Sequence, residues 1–314
     1  FLAVPVAAMT GVTQAELGDD LVLTSTGAVS ATARTAFPND RPHEDIVDNL
    51  RAYLDKVREF TSPDTRSDPD AETGEDSDGV EAEPPALSDI LNLDDYLTTQ
   101  TGASAESSSE AEDADQSLAI GVTVNWFGTA TETRAVMRDG ARVSAGDAVT
   151  LDALAEGFFY HRANEVELPK LSGDEGANNA IGGAINLARS ATVVEALVEG
   201  GAEIDATALT VKARNDLQTL LATYAGGNAE EVAINAAIGI GMVENRTLAQ
   251  VSDAARIELG TGSMLVGAED AGMVWNAAGV ASVSGNVGVG ASGTVNFVRR
   301  DTSALVGPDG SGMP

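Results

Sequence analysis

The densest group of side chains suited to chemistry is a run of aromatic residues followed by a histidine: Phe158, Phe159, Tyr160 and His161. Aromatic faces stack on sugar rings and other flat groups, and a neighbouring imidazole can donate or accept a hydrogen bond. These four residues are therefore a candidate ligand groove. The alternative is that the cluster fills a loop or the edge of a core.

A second group consists of carboxylates close to glycines. Six acidic residues occur from Asp68 to Asp78, near Gly74 and Gly79. Carboxylate oxygens are ligands for Ca²⁺, but an EF-hand loop needs a glycine at its sixth position and a glutamate at its twelfth, and no register of this segment has both. The sequence therefore supports no defined metal site and no cofactor, although weak calcium association fits the charge.

Motifs of catalysis are missing or lack their structural context. Residues 288–293 match the GxGxxG pattern, but that pattern binds a dinucleotide only at the start of a helix, and residues 294–298 alternate like a strand. No nucleophile elbow, HExxH sequence or P-loop occurs. We predict that the chain is not an enzyme. A β-helical enzyme that cleaves polysaccharides with paired carboxylates is the alternative.

Composition narrows the partners. The chain has 49 acidic and 18 basic residues and a net charge of −31, which argues against nucleic acid because phosphate binding needs a basic surface. The same charge disfavours an anionic membrane surface, and no run of about 18 apolar residues indicates a membrane-spanning helix, so we expect no membrane insertion. The absence of cysteine excludes disulfides and thiolate chemistry.

The elements that must position these groups follow from an internal repeat. A short segment centred on an alanine recurs five times, with anchors at Ala15, Ala135, Ala196, Ala249 and Ala304. The anchors are 120, 61, 53 and 55 residues apart. Each unit combines a long glycine-rich alternating stretch, a turn at Asp-Gly or Gly-Gly, and two shorter alternating stretches. This alternation indicates strands, although residues 216–224 also fit a short helix.

One such unit cannot bury its apolar face alone, so neighbouring units must stack. We predict an all-β fold, a parallel β-solenoid of units about 55 residues long; wide stacked β-sheets are the alternative. The predicted units cover residues 1–36, 117–177, 178–232, 233–283 and 284–314.

The first anchor spacing is about twice the others, which places an insert at residues 37–116. Residues 44–60 have apolar side chains at helical spacing and predict an amphipathic helix. Residues 61–116 contain 17 acidic residues and one basic residue, a composition typical of disorder. A second short helix is predicted at 87–97.

The repeat resembles the repeat region of large bacterial exoproteins of the filamentous-haemagglutinin and leukotoxin-type filamentous adhesin kind. The resemblance depends on Val122–Asn125, Thr133–Gly146, Val295–Val298 and Thr302–Val306. In that family, alternating strands ending in Val-Asn precede a Thr-x-Ala-x-Val strand and a Gly-Ala turn. The resemblance covers about 230 residues, everything except the insert.

The resemblance implies an extracellular or cell-surface β-solenoid segment that mediates adhesion, aggregation or cell–cell contact. The expected partner is a glycan or protein on a host or neighbouring cell; a glycan-binding module that uses residues 158–161 is an alternative. The chain lacks an initial methionine, which we interpret as a segment of a larger protein. Unpaired strands at the ends of a stack also predict self-association end to end.

Overall fold

A computed structural model of the chain describes residues 2–4, 6–37, 100–103, 118–163, 178–229 and 231–307. These residues contain sixteen strands and no helix, so the described part is all-β, as predicted. The predicted helices at 44–60 and 87–97 and the acidic residues 68–78 lie outside the described residues. In chain order the strands are β1 (Leu2–Ala3), β2 (Val6–Leu17), β3 (Val22–Ser25), β4 (Val29–Ala36), β5 (Gln100–Ala103), β6 (Leu118–Met137), β7 (Arg142–Ala145), β8 (Ala148–Ala163), β9 (Asn179–Val198), β10 (Glu203–Asp205), β11 (Ala208–Ala229), β12 (Val232–Val251), β13 (Arg256–Glu258), β14 (Ser263–Asp270), β15 (Met273–Ser284) and β16 (Val287–Val306).

The strands form three sheets in which every pair of neighbours is parallel. Sheet A contains β1, β2, β6, β9, β12 and β16; sheet B contains β3, β7, β10 and β13; sheet C contains β4, β5, β8, β11, β14 and β15. None of these sheets closes on itself within the described ranges. The chain passes through A, B and C in turn and then returns to A, so that successive passages lie on one another.

Sheet C departs from the prediction in two ways. The alternative helix at residues 216–224 is wrong, because these residues belong to β11, which pairs in register with β8 and β15. Hydrogen bonding to a strand on each side outweighs the local preference for a helix. The third strand of a unit is also not short: β8 has 16 residues and β11 has 22, and only the sheet B strands are short.

The turn from sheet A to sheet B needs a left-handed residue in three successive passages. Gly140 and Gly201 have φ of 72° and 74°, and Asp20 has φ of 54°. Glycine has no Cβ and adopts this conformation without strain, and aspartate tolerates it better than most residues. The predicted Asp-Gly and Gly-Gly turns therefore lie where the sequence indicated.

The apolar core lies between sheets A and C, at the end that sheet B covers. Its centre contains Val143 and Ile204 from sheet B, Leu151 and Val211 from sheet C, and small residues from sheet A. The exposed fraction of Leu151 and Val211 is 0%. Several large side chains meet here because the short sheet B spaces A and C apart.

Away from sheet B the interior becomes polar and narrow. Asn125 and Asn186 are register partners on β6 and β9, and both have an exposed fraction of 0%. The Nδ2 of Asn125 donates to Oδ1 of Asn186 at 3.0 Å. The Nδ2 of Asn186 donates to the carbonyl oxygens of His161 and Ala222, at 3.1 and 3.2 Å. These bonds tie sheet A to sheet C.

The connections differ in length at one corner. The four turns from sheet A to sheet B have four residues each, whereas the return from C to A varies widely. It takes two residues between β11 and β12, two between β15 and β16, and 15 between β8 and β9. Residues 37–117, apart from β5, also fall between a sheet C strand and a sheet A strand. The unit boundaries themselves stay a prediction.

Candidate functional site

The anchor alanines form one row across sheet A. Ala15 pairs with Ala135, Ala135 with Ala196, Ala196 with Ala249, and Ala249 with Ala304. Ala135, Ala196 and Ala249 are fully buried and belong to the apolar core. Their methyl groups fit the narrow space beside the turn, so the row has a structural part in the fold.

Two of the four residues of the predicted ligand groove lie inside the protein. Phe159 and His161 point inward from β8 and have an exposed fraction of 1% each. Phe159 packs on Phe37 with a ring-centroid distance of 4.6 Å, and His161 packs on Phe127 at 3.9 Å. Burial lowers the pKa of His161 to about 3. The imidazole is therefore neutral, and it contributes to the core rather than to a surface.

The other two residues lie on the opposite face of β8, because successive side chains of a strand alternate. Phe158 has an exposed fraction of 2%, and its ring lies 6.4 Å from that of Trp275 on β15. Tyr160 belongs to β8, but its side chain lies outside what the structure describes. The structure thus divides the four residues between two faces, and a ligand role for Phe158 and Tyr160 stays a prediction.

Charged side chains form ladders on the outer side of sheet A near the turn. Nε of Arg138 lies 2.9 Å from Oε1 of Glu16, and Nη1 lies 2.9 Å from Oε1 of Glu199. The hydrogen bond from Arg138 lowers the pKa of Glu16, and the bond to Glu16 raises the pKa of Arg138. One guanidinium therefore links three successive passages of the chain.

The outer face of sheet B forms a shallow groove with a volume of about 260 Å³. We call it the sheet B groove. It runs across the strands, and two rows of outward side chains line it: Val22, Arg142, Glu203 and Arg256 in one row, and Thr24, Ser144, Asp205 and Glu258 in the other.

Polar groups of both kinds converge in the sheet B groove. Nε of Arg142 lies 3.5 Å from Oε2 of Glu203, and Arg256 forms an ion pair with Glu258. Hydroxyls of Thr24 and Ser144 lie in the neighbouring row. Guanidinium, carboxylate and hydroxyl groups at the spacing of adjacent strands, about 4.8 Å, can hydrogen-bond an extended polar ligand.

A different surface occupies the outer side of sheet A away from the turn. We call it the aliphatic face: the outward side chains of residues 118–126, 181–187, 234–242 and 289–297. Ile120, Ile181, Ile234 and Val289 form one row of it, with exposed fractions of 47%, 40%, 45% and 50%. Single exposed aliphatic residues are ordinary, but a contiguous apolar patch usually marks an interaction surface.

The aliphatic face contains no charge. None of its four segments includes Asp, Glu, Lys or Arg, whereas 21% of the residues of the whole chain are charged. The nearest charges are Arg189 and Glu244, which form an ion pair at 2.9 Å beside Met242. In a protein with a net charge of −31 this surface is an exception.

Sequence reasoning missed the aliphatic face because it assumed that the apolar side of each strand points inward. In this half of sheet A the inward positions are small or polar, such as Ala184, Asn186 and Ala237, and the isoleucines point outward. The signal was present in the sequence. Large aliphatic residues alternate with Gly, Ala and Asn, and only the smaller set fits the narrow interior.

Within the described ranges, no group of three or more His, Asp or Glu side chains is arranged to hold a metal ion. The same residues include no helix of the length and apolarity needed to cross a membrane. Comparisons of the chain with protein-family models, with curated proteins and with solved structures gave no match.

Proposed function

We propose that the chain is a structural and adhesive segment of a large secreted or surface-attached bacterial protein, built as a parallel β-solenoid. One observation supports this most: the path through sheets A, B and C recurs, with the anchor alanines in register from each passage to the next. Repeats of this kind are stabilised by their neighbours, so further copies extend the array. A stiff spacer of that kind can hold a binding surface away from a cell.

In this proposal each passage through the three sheets is one coil. Neighbouring strands of a sheet are about 4.8 Å apart, so each coil adds about 5 Å along the stack. The 20-residue strands of sheet A set a width of roughly 65 Å that does not depend on the number of coils. Stack length and width are therefore separate quantities that can be measured independently.

Distances between spin labels test the coil geometry. The chain has no cysteine, so Thr24→Cys and Glu258→Cys label the outer strands of sheet B, three strand spacings or about 14 Å apart. Duplication of residues 178–232 inserts one coil and should lengthen this distance by about 5 Å. The pair Thr10→Cys and Thr24→Cys precedes the duplication and is the control. An unchanged first distance, or a change of tens of ångströms, would reject the solenoid.

Glycan binding by the sheet B groove is a second candidate function, favoured by its alternating guanidinium and carboxylate groups beside hydroxyls. A glycan array probed with the full chain tests it. Arg142→Ala with Arg256→Ala should weaken binding at least about tenfold, the effect of losing charged hydrogen bonds. Arg299→Ala, an exposed arginine on β16, is the matched control. Equal binding by both variants would remove the groove from consideration.

Self-association through the ends of the stack belongs to the same proposal. β16 has a neighbour on one side only in the described part of the chain, and Val287, Val295 and Val306 on it are about half exposed or more. An unpaired parallel strand of this length can accept another strand. Lysine in place of Thr294 and Ser292 along this edge should reduce concentration-dependent light scattering, and unchanged scattering would count against end-to-end contact.

A further inference from the structure

We propose that the aliphatic face is the contact surface between two copies of this chain, which pack side by side through their sheets A. Purely parallel sheets occur almost only with both faces covered. Sheet A is covered by sheet C on one side, and its other side is exposed at residues such as Ile181 and Ile234. This contact is lateral, so it is separate from the ends of the stack and does not depend on the solenoid being closed.

The relief of the aliphatic face fits a second copy of itself. Its central row is formed by Val122, Gly183, Ala236 and Ala291. On one side lies the row of Ile120, and on the other the row of Val124, Ile185 and Ile238. A row of small residues between two rows of large ones is a groove between ridges. A Cβ at Gly183 would meet only the methyls of Val122, at 3.8 Å, so the groove is open.

A two-fold axis beside the central row inserts a ridge of each copy into the groove of the other. Such an isologous contact uses one surface twice and closes at a dimer. Packed sheets lie about 10 Å apart, a distance that side chains of isoleucine and alanine size can fill from both sides. With the axis there, Arg189 and Glu244 lie outside the overlap.

The size of the face suits a stable pair. It spans β6, β9, β12 and β16 and about ten residues of each, which at about 4.8 Å between strands and 3.3 Å per residue is roughly 600 Å². β2 lies beside β6 and adds Val6, whose exposed fraction is 66%. A standard interface buries about 800 Å² on each partner, so the aliphatic face is of the right order.

Charge also selects this face for contact between copies. Two chains with net charges of −31 repel each other, and contact costs least where neither copy presents a charge. An anionic lipid surface would meet the same repulsion without offering matching ridges. A second copy supplies an apolar, uncharged surface of equal size.

Sedimentation equilibrium of the full chain tests the proposal. The chain should be a dimer at about 10 µM, and Ile234→Glu should raise the dissociation constant at least about 100-fold, because two carboxylates would be desolvated. Leu265→Glu is the matched control: Leu265 lies on β14 with an exposed fraction of 50%, outside the face. It should leave the dimer intact. Far-UV circular dichroism checks that both variants fold, since both positions point outward.

Cross-linking locates the contact. Because the chain has no cysteine, Ala236→Cys gives one thiol near the proposed axis, and a short bis-maleimide should link two copies there. Leu265→Cys should not cross-link. A chain that is monomeric at about 100 µM, or a dimer that Ile234→Glu does not weaken, overturns the proposal. So does a monomer that floats with neutral phosphatidylcholine vesicles, because lipid would then be the occupant. None of these results bears on the coil distances that test the solenoid.

Discussion

The buried pair of asparagines gives the sharpest test of how sheets A and C are held together. Asn186→Leu keeps the size of the side chain and removes three hydrogen bonds: one from Asn125 and two to the carbonyls of His161 and Ala222. Each such bond contributes about 1 kcal/mol net, and a buried amide that loses its acceptor costs about 1–3 kcal/mol. We expect Asn186→Leu to lower the free energy of unfolding by about 3–5 kcal/mol.

A double-mutant cycle separates the shared bond from the rest. Asn125→Leu also removes the bond of 3.0 Å between the two amides, so the double variant should lose less than the sum of the single variants. The difference should be about 1–2 kcal/mol, which is typical of residues in direct contact. Gln14→Leu, an exposed amide on β2, should change stability by less than about 0.5 kcal/mol.

Urea unfolding followed by far-UV circular dichroism measures these free energies, and amide hydrogen exchange shows where protection is lost. Stacked repeats need not unfold in one step. Exchange should therefore rise first in β6 and β9, the strands that carry the pair. A loss of less than about 0.5 kcal/mol for Asn186→Leu would show that the polar interior does not join the sheets.

Three further predictions concern the turn, a surface ladder and the buried histidine. Gly201→Ala should lower the free energy of unfolding by about 1–2 kcal/mol because φ is positive there, whereas Gly267→Ala, which meets no atom within 4 Å, should not; urea midpoints decide. NMR titration should place the pKa of Glu16 below its ordinary 4.5, and Arg138→Gln should restore it, so the stabilisation by this pair is present above about pH 4.5 and is lost as the pH falls; an ordinary value in the parent chain refutes the ladder. Because burial lowers the pKa of His161 to about 3, only the unfolded chain takes up this proton between roughly pH 6.5 and pH 3. Stability should fall by about 3–5 kcal/mol over that window relative to His161→Leu, and parallel pH profiles of the two chains would contradict the burial.

The repeat could be predicted from sequence because it depends on local alternation and on spacing. The anchors at 135, 196 and 249 share a row since chain segments of nearly equal length separate them. The helix alternative at 216–224 failed for a physical reason. Leu217, Leu220 and Leu221 fit the spacing of a helical face, yet in β11 Leu217 and Leu221 lie on one side and Leu220 on the other.

Which side of a strand faces inward could not be predicted, because it depends on the distance between sheets. Near sheet B the space admits Leu151 and Ile204, and the aliphatic residues point inward. Farther away, the amide of Asn186 spans the gap to sheet C, and isoleucines such as Ile185 have no room inside. For the same reason consecutive aromatic residues suggested one site, while alternation along β8 placed Phe158 and Phe159 on opposite faces.

The corner between sheets C and A makes this protein a natural carrier for foreign peptides. Every connection of variable length occurs there, from the two residues Gly285–Asn286 to the long stretch after β4, and no ladder hydrogen bond crosses it. An epitope or an enzyme grafted at Gly285–Asn286 would emerge along the same edge as residues 164–178. Several cargoes could therefore be displayed in a single file, at a pitch that the strand spacing sets.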